Sequence, residues 1–312
     1  MASPVHPADM NIIQGVYPVR PQLPAVGGYE GVACVQSIGS NVSSLSVGDW
    51  VLPVGSSSVD GTWQTHSVVS SDQLLRVDNA LVTGSHLSLE AAATLRINPC
   101  TAERMLLDFV HLQPGDVVVQ NGATSQVARN VIQLARLKQL RSVNVIRDRA
   151  NASEYDSVRA QLTQLGADFV FTERQFRRDG RRLLKESNAV PKLALNTVGG
   201  DSALMLASSL AHGGVMVTYG GMSRQPVKVA TGALVFNDVT LRAFWMSQWY
   251  SQARHRQAAR DMIARMAQRF ADGQLKTSNQ QRVPFAEFKR AIEATVNGST
   301  PKQILVMHDP SE

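Results

Sequence analysis

Cysteine is scarce: Cys34 and Cys100 are the two in a chain of 312 residues. Neither a disulfide framework nor a four-cysteine zinc site can be built from them, and a reducing compartment fits so sparing a use. Long apolar runs are missing too, so no stretch of the sequence would cross a bilayer as a helix. Aromatic residues make up 6% of the chain, and no nucleic-acid-binding motif accompanies them. The opening residues, from Met1 to Asn11, have neither the apolar centre of a signal peptide nor the arginines of a transit peptide. They read as the inside of a domain, entered through a proline-rich loop. Internal repeats and low-complexity segments are absent.

What is present is ordinary for a globular protein: 44% hydrophobic and 18% charged residues, in a length that suits two domains. The net charge of +6 suits an acidic partner or a phosphate-rich substrate and identifies neither.

One stretch organises the rest. Asp116 to Gln120 reads as a buried parallel strand, and Asn121-Gly122-Ala123-Thr124-Ser125 as a tight turn of small residues. Residues 126–137 carry Val127, Val131, Leu134 and Ala135 at the spacing of a helix with one buried face. Residues 143–146 form a second strand. Strand, turn, helix and strand make a βαβ unit, whose turn presents a helix N-terminus to an anion. We read it as the pyrophosphate seat of a dinucleotide-binding domain. The turn lacks the G-x-G-x-x-G spacing, with Gln126 and Ala128 in places where glycine is common, so the motif by itself is weak. At the end of the second strand, Arg147 and Arg149 flank Asp148. A carboxylate there serves the ribose of NAD, and cations serve the 2′-phosphate of NADP. Two guanidinium forks favour NADPH, while Asp148 keeps NAD open.

Around this unit, residues 153–165 and 174–187 read as helices, and 167–172, 192–196, 214–219 and 239–245 as strands. This alternation predicts a doubly wound α/β sheet. Asp201 is placed to cap the helix that follows it. Upstream, residues 11–17 read as a loop, and 27–39, 50–53 and 61–68 as short antiparallel strands of a small barrel. Residues 87–106 read as helix broken at Asn98-Pro99. Residues 253–271 form a helix, and residues 283–307 a strand–helix–strand tail that returns to the first domain.

Several motifs converge on a known family. Gly28-Tyr29-Glu30-Gly31-Val32, residues 38–42 and Gly48-Asp49-Trp50-Val51 resemble the medium-chain dehydrogenase/reductase pattern. Within it, Asn98-Pro99-Cys100-Thr101-Ala102, Tyr219-Gly220-Gly221-Met222 and Phe244-Trp245-Met246-Ser247-Gln248-Trp249 resemble the mitochondrial trans-2-enoyl-thioester reductases, and the similarity runs over nearly the whole chain. The resemblance implies a Rossmann-type doubly wound sheet plus a GroES-like, partly open β-barrel catalytic domain. It divides the chain into 1–99 (catalytic, first part), 100–250 (NADP-binding) and 251–312 (returning to the catalytic domain). It implies NADPH-dependent reduction of an enoyl thioester of coenzyme A or acyl carrier protein by a homodimer in mitochondria, without zinc. Tyr29 stands where the zinc-dependent branch has histidine. Relative to the family, strands before Ala2 are expected and are not in this sequence.

The resemblance also assigns residues. Tyr17 matches the proton donor; packing between prolines is its alternative reading. Asn98 matches a nicotinamide-side contact, with a turn role as its alternative. Thr124, Ser125, Gln126 and Val127 match the pyrophosphate turn, and Arg147, Asp148 and Arg149 the 2′-phosphate loop. Tyr219, Gly220, Gly221 and Met222, then Phe244, Trp245, Met246 and Ser247, match cofactor-side strand ends, where Trp245 could instead wall an acyl slot or fill core. Lys302 matches a phosphate contact. Two other readings stay open: a zinc-free quinone reductase, against which residues 244–249 speak, and a non-catalytic dinucleotide-binding scaffold, kept open by Gln126 and Ala128.

Overall fold

The computed structural model describes residues 1–54, 61–84, 86–277, 279–298 and 301–307. The chain divides into two compact units, one of Met1–Cys100 with Ser247–Glu312 and one of Thr101–Met246.

The discontinuous unit begins with strand β1 (Ala2–Pro4) and a helix, Pro7–Ile13. A loop was expected over residues 11–17, and here the structure differs. Pro7 opens this helix, where a missing N–H costs nothing, and the His6 backbone N–H donates to the Asp9 carboxylate at 2.7 Å. Strand β2 is only Ala33–Cys34, followed by β3 (Trp50–Pro53) and β4 (Leu74–Arg76), paired antiparallel in that order. The long strand expected over residues 27–39 is therefore mostly irregular, and residues 61–68 form no strand. The reason lies in the glycines. A Cβ on Gly27 would stand 2.7 Å from the Trp63 ring, and one on Gly31 2.9 Å from the Ala2 carbonyl oxygen. These glycines allow close packing against Trp63 and β1, and the Thr62 and Trp63 N–H groups bond to Gly28 and Gly27 rather than to a ladder.

Helix Leu89–Ala93 ends at a turn, and helix Asn98–Leu107 follows. The break thus precedes Asn98-Pro99 instead of falling on it. Pro99 sits in the first turn of a helix, its permitted place.

In the continuous unit, β5 (Val117–Gln120), β6 (Arg141–Ile146), β7 (Phe169–Thr172), β8 (Pro191–Asn196), β9 (Val215–Thr218) and β10 (Thr240–Ala243) form one sheet. Its order is β10-β9-β8-β5-β6-β7, parallel throughout. The order reverses beside β5, the topological switch point of a doubly wound fold. Successive strand residues face opposite sides. Val117, Val119, Val143 and Val145 pack with Leu206 and Met216, while Ile146 joins Ile132, Leu162 and Val170. Truncating Ile132, fully buried in helix Gln126–Leu137, would cost about 2–5 kcal/mol. Asp201 does not cap its helix. Gly199, at φ 85°, is the N-cap of Gly200–Ser209, and Asp201 lies in the first turn with its carboxylate on the Lys228 ammonium at 2.8 Å.

The discontinuous unit is completed by helix Arg256–Ala271, β11 (Gln280–Pro284), helix Phe288–Val296 and β12 (Lys302–Val306). β12 pairs antiparallel with β1 and parallel with β11. Val5, Met10, Val283, Ala291 and Leu305 form the core between them.

Candidate active site

The turn after β5 is built by side-chain amides. Asn121 donates to the Asn196 and Ser202 side chains at 2.8 and 3.1 Å and accepts from the Thr197 N–H at 2.8 Å. Gln120 donates to the Ala128 carbonyl and to the Asn144 side chain. Gly122 has φ 56°, and a Cβ there would meet the Thr197 methyl at 2.6 Å, so glycine is required. Ser125 caps helix Gln126–Leu137, accepting from the Ala128 N–H at 3.3 Å. Ala128 is fully buried, the helix-against-strand position where a small residue suffices. Gln126 and Val127 are partly buried at the helix start.

One contributor escaped sequence reasoning. Arg129, 3% exposed, donates from Nε to the Thr124 carbonyl at 3.1 Å and so holds the turn from within the helix. A single arginine inside an apolar helix pattern gave no signal of that role.

At the end of β6 the three charged residues separate. Asp148 accepts the Arg174 N–H at 3.2 Å, and its other oxygen lies 3.9 Å from the Arg174 guanidinium. Arg149 is largely covered, 3.6 Å from Glu154. Arg147 is exposed and has no ion pair among the described residues. After β9, Tyr219 is partly buried with its hydroxyl enclosed; Ser125 and Thr197 lie beside it, yet no hydrogen bond of good geometry forms. Burial pushes its pKa up to about 12. Gly220 is forced, since a Cβ would lie 2.4 Å from Thr197 Oγ1. Gly221 borders open space, and Met222 is exposed with its N–H on the Thr197 carbonyl. Phe244 packs edge-on against Phe109, with centroids 6.0 Å apart, Trp245 is partly exposed and Met246 is buried.

The remaining assignments fall in the discontinuous unit. Tyr17 lies on the loop after helix Pro7–Ile13, half-buried. Asn98 is buried, and its amide nitrogen has no hydrogen-bond partner among the described residues. Ser247 accepts from the Tyr29 hydroxyl at 2.7 Å. Lys302 does not stand as a surface cation. Its ammonium lies 2.8 Å from His6 Nδ1, beside Asp9 and Glu30, and burial brings its pKa down to about 8. The Lys302 ammonium thus has a partner within the protein. Among the described residues, no group of three or more His, Cys, Asp or Glu side chains could hold a metal ion.

The family model for the alcohol dehydrogenase GroES-like domain matches residues 1–79, and that of the zinc-binding dehydrogenases residues 165–301. The mitochondrial enoyl-acyl-carrier-protein reductase of Arabidopsis thaliana is 46% identical over 98% of this chain and 78% of its own length. The chain belongs to the mitochondrial enoyl-acyl-carrier-protein reductase family. Two solved structures of this reductase family superpose closely. A complex of Etr1p with NADP and crotonyl-CoA is 33% identical, with a TM-score of 0.87 over 98% of this chain and 89% of that one. The mitochondrial 2-enoyl thioester reductase Etr1p/Etr2p heterodimer of Candida tropicalis is 32% identical, with a TM-score of 0.88 over the same shares. The six-stranded parallel sheet is thus Rossmann-like, and it is joined in the chain to a GroES-like domain.

Proposed function

We infer that this chain reduces the 2,3-double bond of trans-2-enoyl thioesters with NADPH. The observation that carries the reading is the likeness, over 98% of this chain, to the Etr1p complex with NADP and crotonyl-CoA. The residues present suit the nucleotide. Two enclosed donors, the Tyr219 hydroxyl and the Asn98 amide, have no hydrogen-bond partner among the described residues. Among the described residues Arg147 has no ion pair, while Asp148 is taken up by Arg174, which favours the phosphorylated nucleotide.

When bound, NADPH supplies a hydride for the β-carbon. The chain's own residues do the rest. Thr124, Ser125, Gln126 and Val127 seat the pyrophosphate at a helix N-terminus, where the helix dipole favours anions. Arg147 and Arg149 hold the 2′-phosphate. Tyr219 to Met222 and Phe244 to Ser247 border the nucleotide, and Asn98 donates to its nicotinamide end. Tyr17 gives a proton to the α-carbon as charge leaves the thioester enolate, the task of a positioned acid.

We assign residues 100–250 to cofactor binding and 1–99 with 251–312 to catalysis, a division the two compact units support. The carrier is coenzyme A or acyl carrier protein, both anionic and suited to a chain of net charge +6. Relatives named mitochondrial support that location. The protein is assigned as a homodimer on its exposed sheet edge, described below. The deciding assay is loss of NADPH absorbance with crotonyl-CoA. Turnover with quinones faster than with crotonyl-CoA, or NADPH binding with no turnover, would overturn the inference.

A further inference from the structure

The discontinuous unit holds a chain of ionisable groups, three buried and one partly buried, that the reaction above does not use. Glu30 is 1% exposed, and its two oxygens have separate partners. Oε1 accepts the Ile97 N–H at 2.6 Å, and Oε2 lies 2.8 Å from His6 Nε2. His6 Nδ1 in turn lies 2.8 Å from the Lys302 ammonium. An ammonium can only donate, so His6 accepts at Nδ1 and carries its proton on Nε2, from which it donates to Glu30. Asp9 completes the cluster, taking the His6 backbone N–H at 2.7 Å, with its pKa raised by burial.

A buried, fully partnered ionic network adds little net stability, so the arrangement calls for a function. The end of the relay supplies one. Ile97 is the last residue of the turn between two helices, and Asn98, which opens the second, keeps a buried amide nitrogen without a partner among the described residues. The same turn is pinned one residue earlier, where the Tyr250 hydroxyl donates to the Arg96 carbonyl at 2.7 Å. A buried donor left unpaired is destabilising and is relieved by a ligand acceptor, provided the backbone carrying it stays fixed.

We propose that Glu30, held by His6 and Lys302, is a positioning residue that fixes Asn98 for the nicotinamide end of NADPH. The proposal rests on the reading of Asn98 given above. Glu30→Gln keeps the size of the side chain. Its carboxamide can still accept from Ile97, but its NH2 then faces His6 Nε2. His6 must shift its proton to Nδ1, against the Lys302 ammonium. Adding Lys302→Gln restores a satisfied network, because the new carbonyl accepts from Nδ1.

The test is NADPH fluorescence titration together with amide hydrogen exchange at Ile97 in the nucleotide-free protein. We expect Glu30→Gln to weaken NADPH about tenfold and speed exchange at Ile97 by a similar factor. Glu30→Gln with Lys302→Gln should recover most of both. Asn98→Ala alone should weaken NADPH about tenfold, and adding Glu30→Gln to it should weaken NADPH no further. If Glu30→Gln does not fold, His6→Asn is expected to act in the same direction through the same amide. Full additivity with Asn98→Ala, or unchanged affinity in Glu30→Gln beside a weakened Asn98→Ala, would overturn the positioning role while leaving the Asn98 reading intact. Unchanged affinity in Asn98→Ala would remove that reading itself.

Discussion

At the scale of single residues, discrimination between nucleotides comes down to which charges are already taken. Asp148 spends its carboxylate on Arg174, while Arg147 has no ion pair among the described residues. A charge-assisted bond from arginine to phosphate is worth about 1.5–3 kcal/mol, so Arg147→Ala should raise Kd for NADPH by roughly tenfold or more and leave Kd for NADH nearly unchanged. Parallel titrations with the two nucleotides would decide it. Tyr17 carries a different prediction. Loss of a general acid typically lowers rate by about 10²–10⁴, so Tyr17→Phe should lower kcat within that range while NADPH affinity holds, measured by single-turnover reduction of crotonyl-CoA.

At the scale of elements, β3 hangs on one side chain. Asp49 accepts from the Asn79 side chain at 2.9 Å and from the Ser46 N–H at 2.8 Å, and Arg76 lies 3.8 Å away. The Asn79 bond first, then the Ser46 N–H, holds the Asp49 carboxyl below its ordinary pKa of 3.8. Because the folded protein binds this proton less readily than the unfolded chain, the stabilisation is complete above the ordinary carboxylate range. It is lost as pH falls through the lowered value. Asp49→Asn should therefore cost about 1–2 kcal/mol at neutral pH, with the difference from the parent chain shrinking below about pH 4. Urea unfolding at the two pH values measures it.

At the scale of the whole molecule, the continuous unit ends its sheet on a bare strand. β10 is the edge, and its residues are exposed, Leu241 among them. Val235 and Phe236, just upstream, are 65% and 79% exposed. An uncovered edge beside exposed apolar side chains invites pairing with a second copy. Sedimentation should show a dimer, and Phe236→Asp or Leu241→Asp should move it toward monomer. Monomeric parent protein at micromolar concentration would remove the homodimer assignment.

The sequence by itself determined the parallel sheet, because valine-rich runs alternating with helical periodicity have one compact solution, and it marked the turn after β5 because small residues there admit few alternatives. It also marked Arg147 to Arg149, since charge type is written in the chain. Tertiary structure decided what depends on residues distant in sequence. Gly27 and Gly31 looked like strand glycines, yet serve close approach by Trp63 and Ala2. Arg129 became a clamp on Thr124 only once the helix was folded back on its turn. Lys302 became a partly buried member of a relay only when β12 lay beside β1, bringing it to His6, 296 residues away. Local pattern fixes backbone conformation, whereas the partner of a buried charge is set by whichever distant strand packs against it.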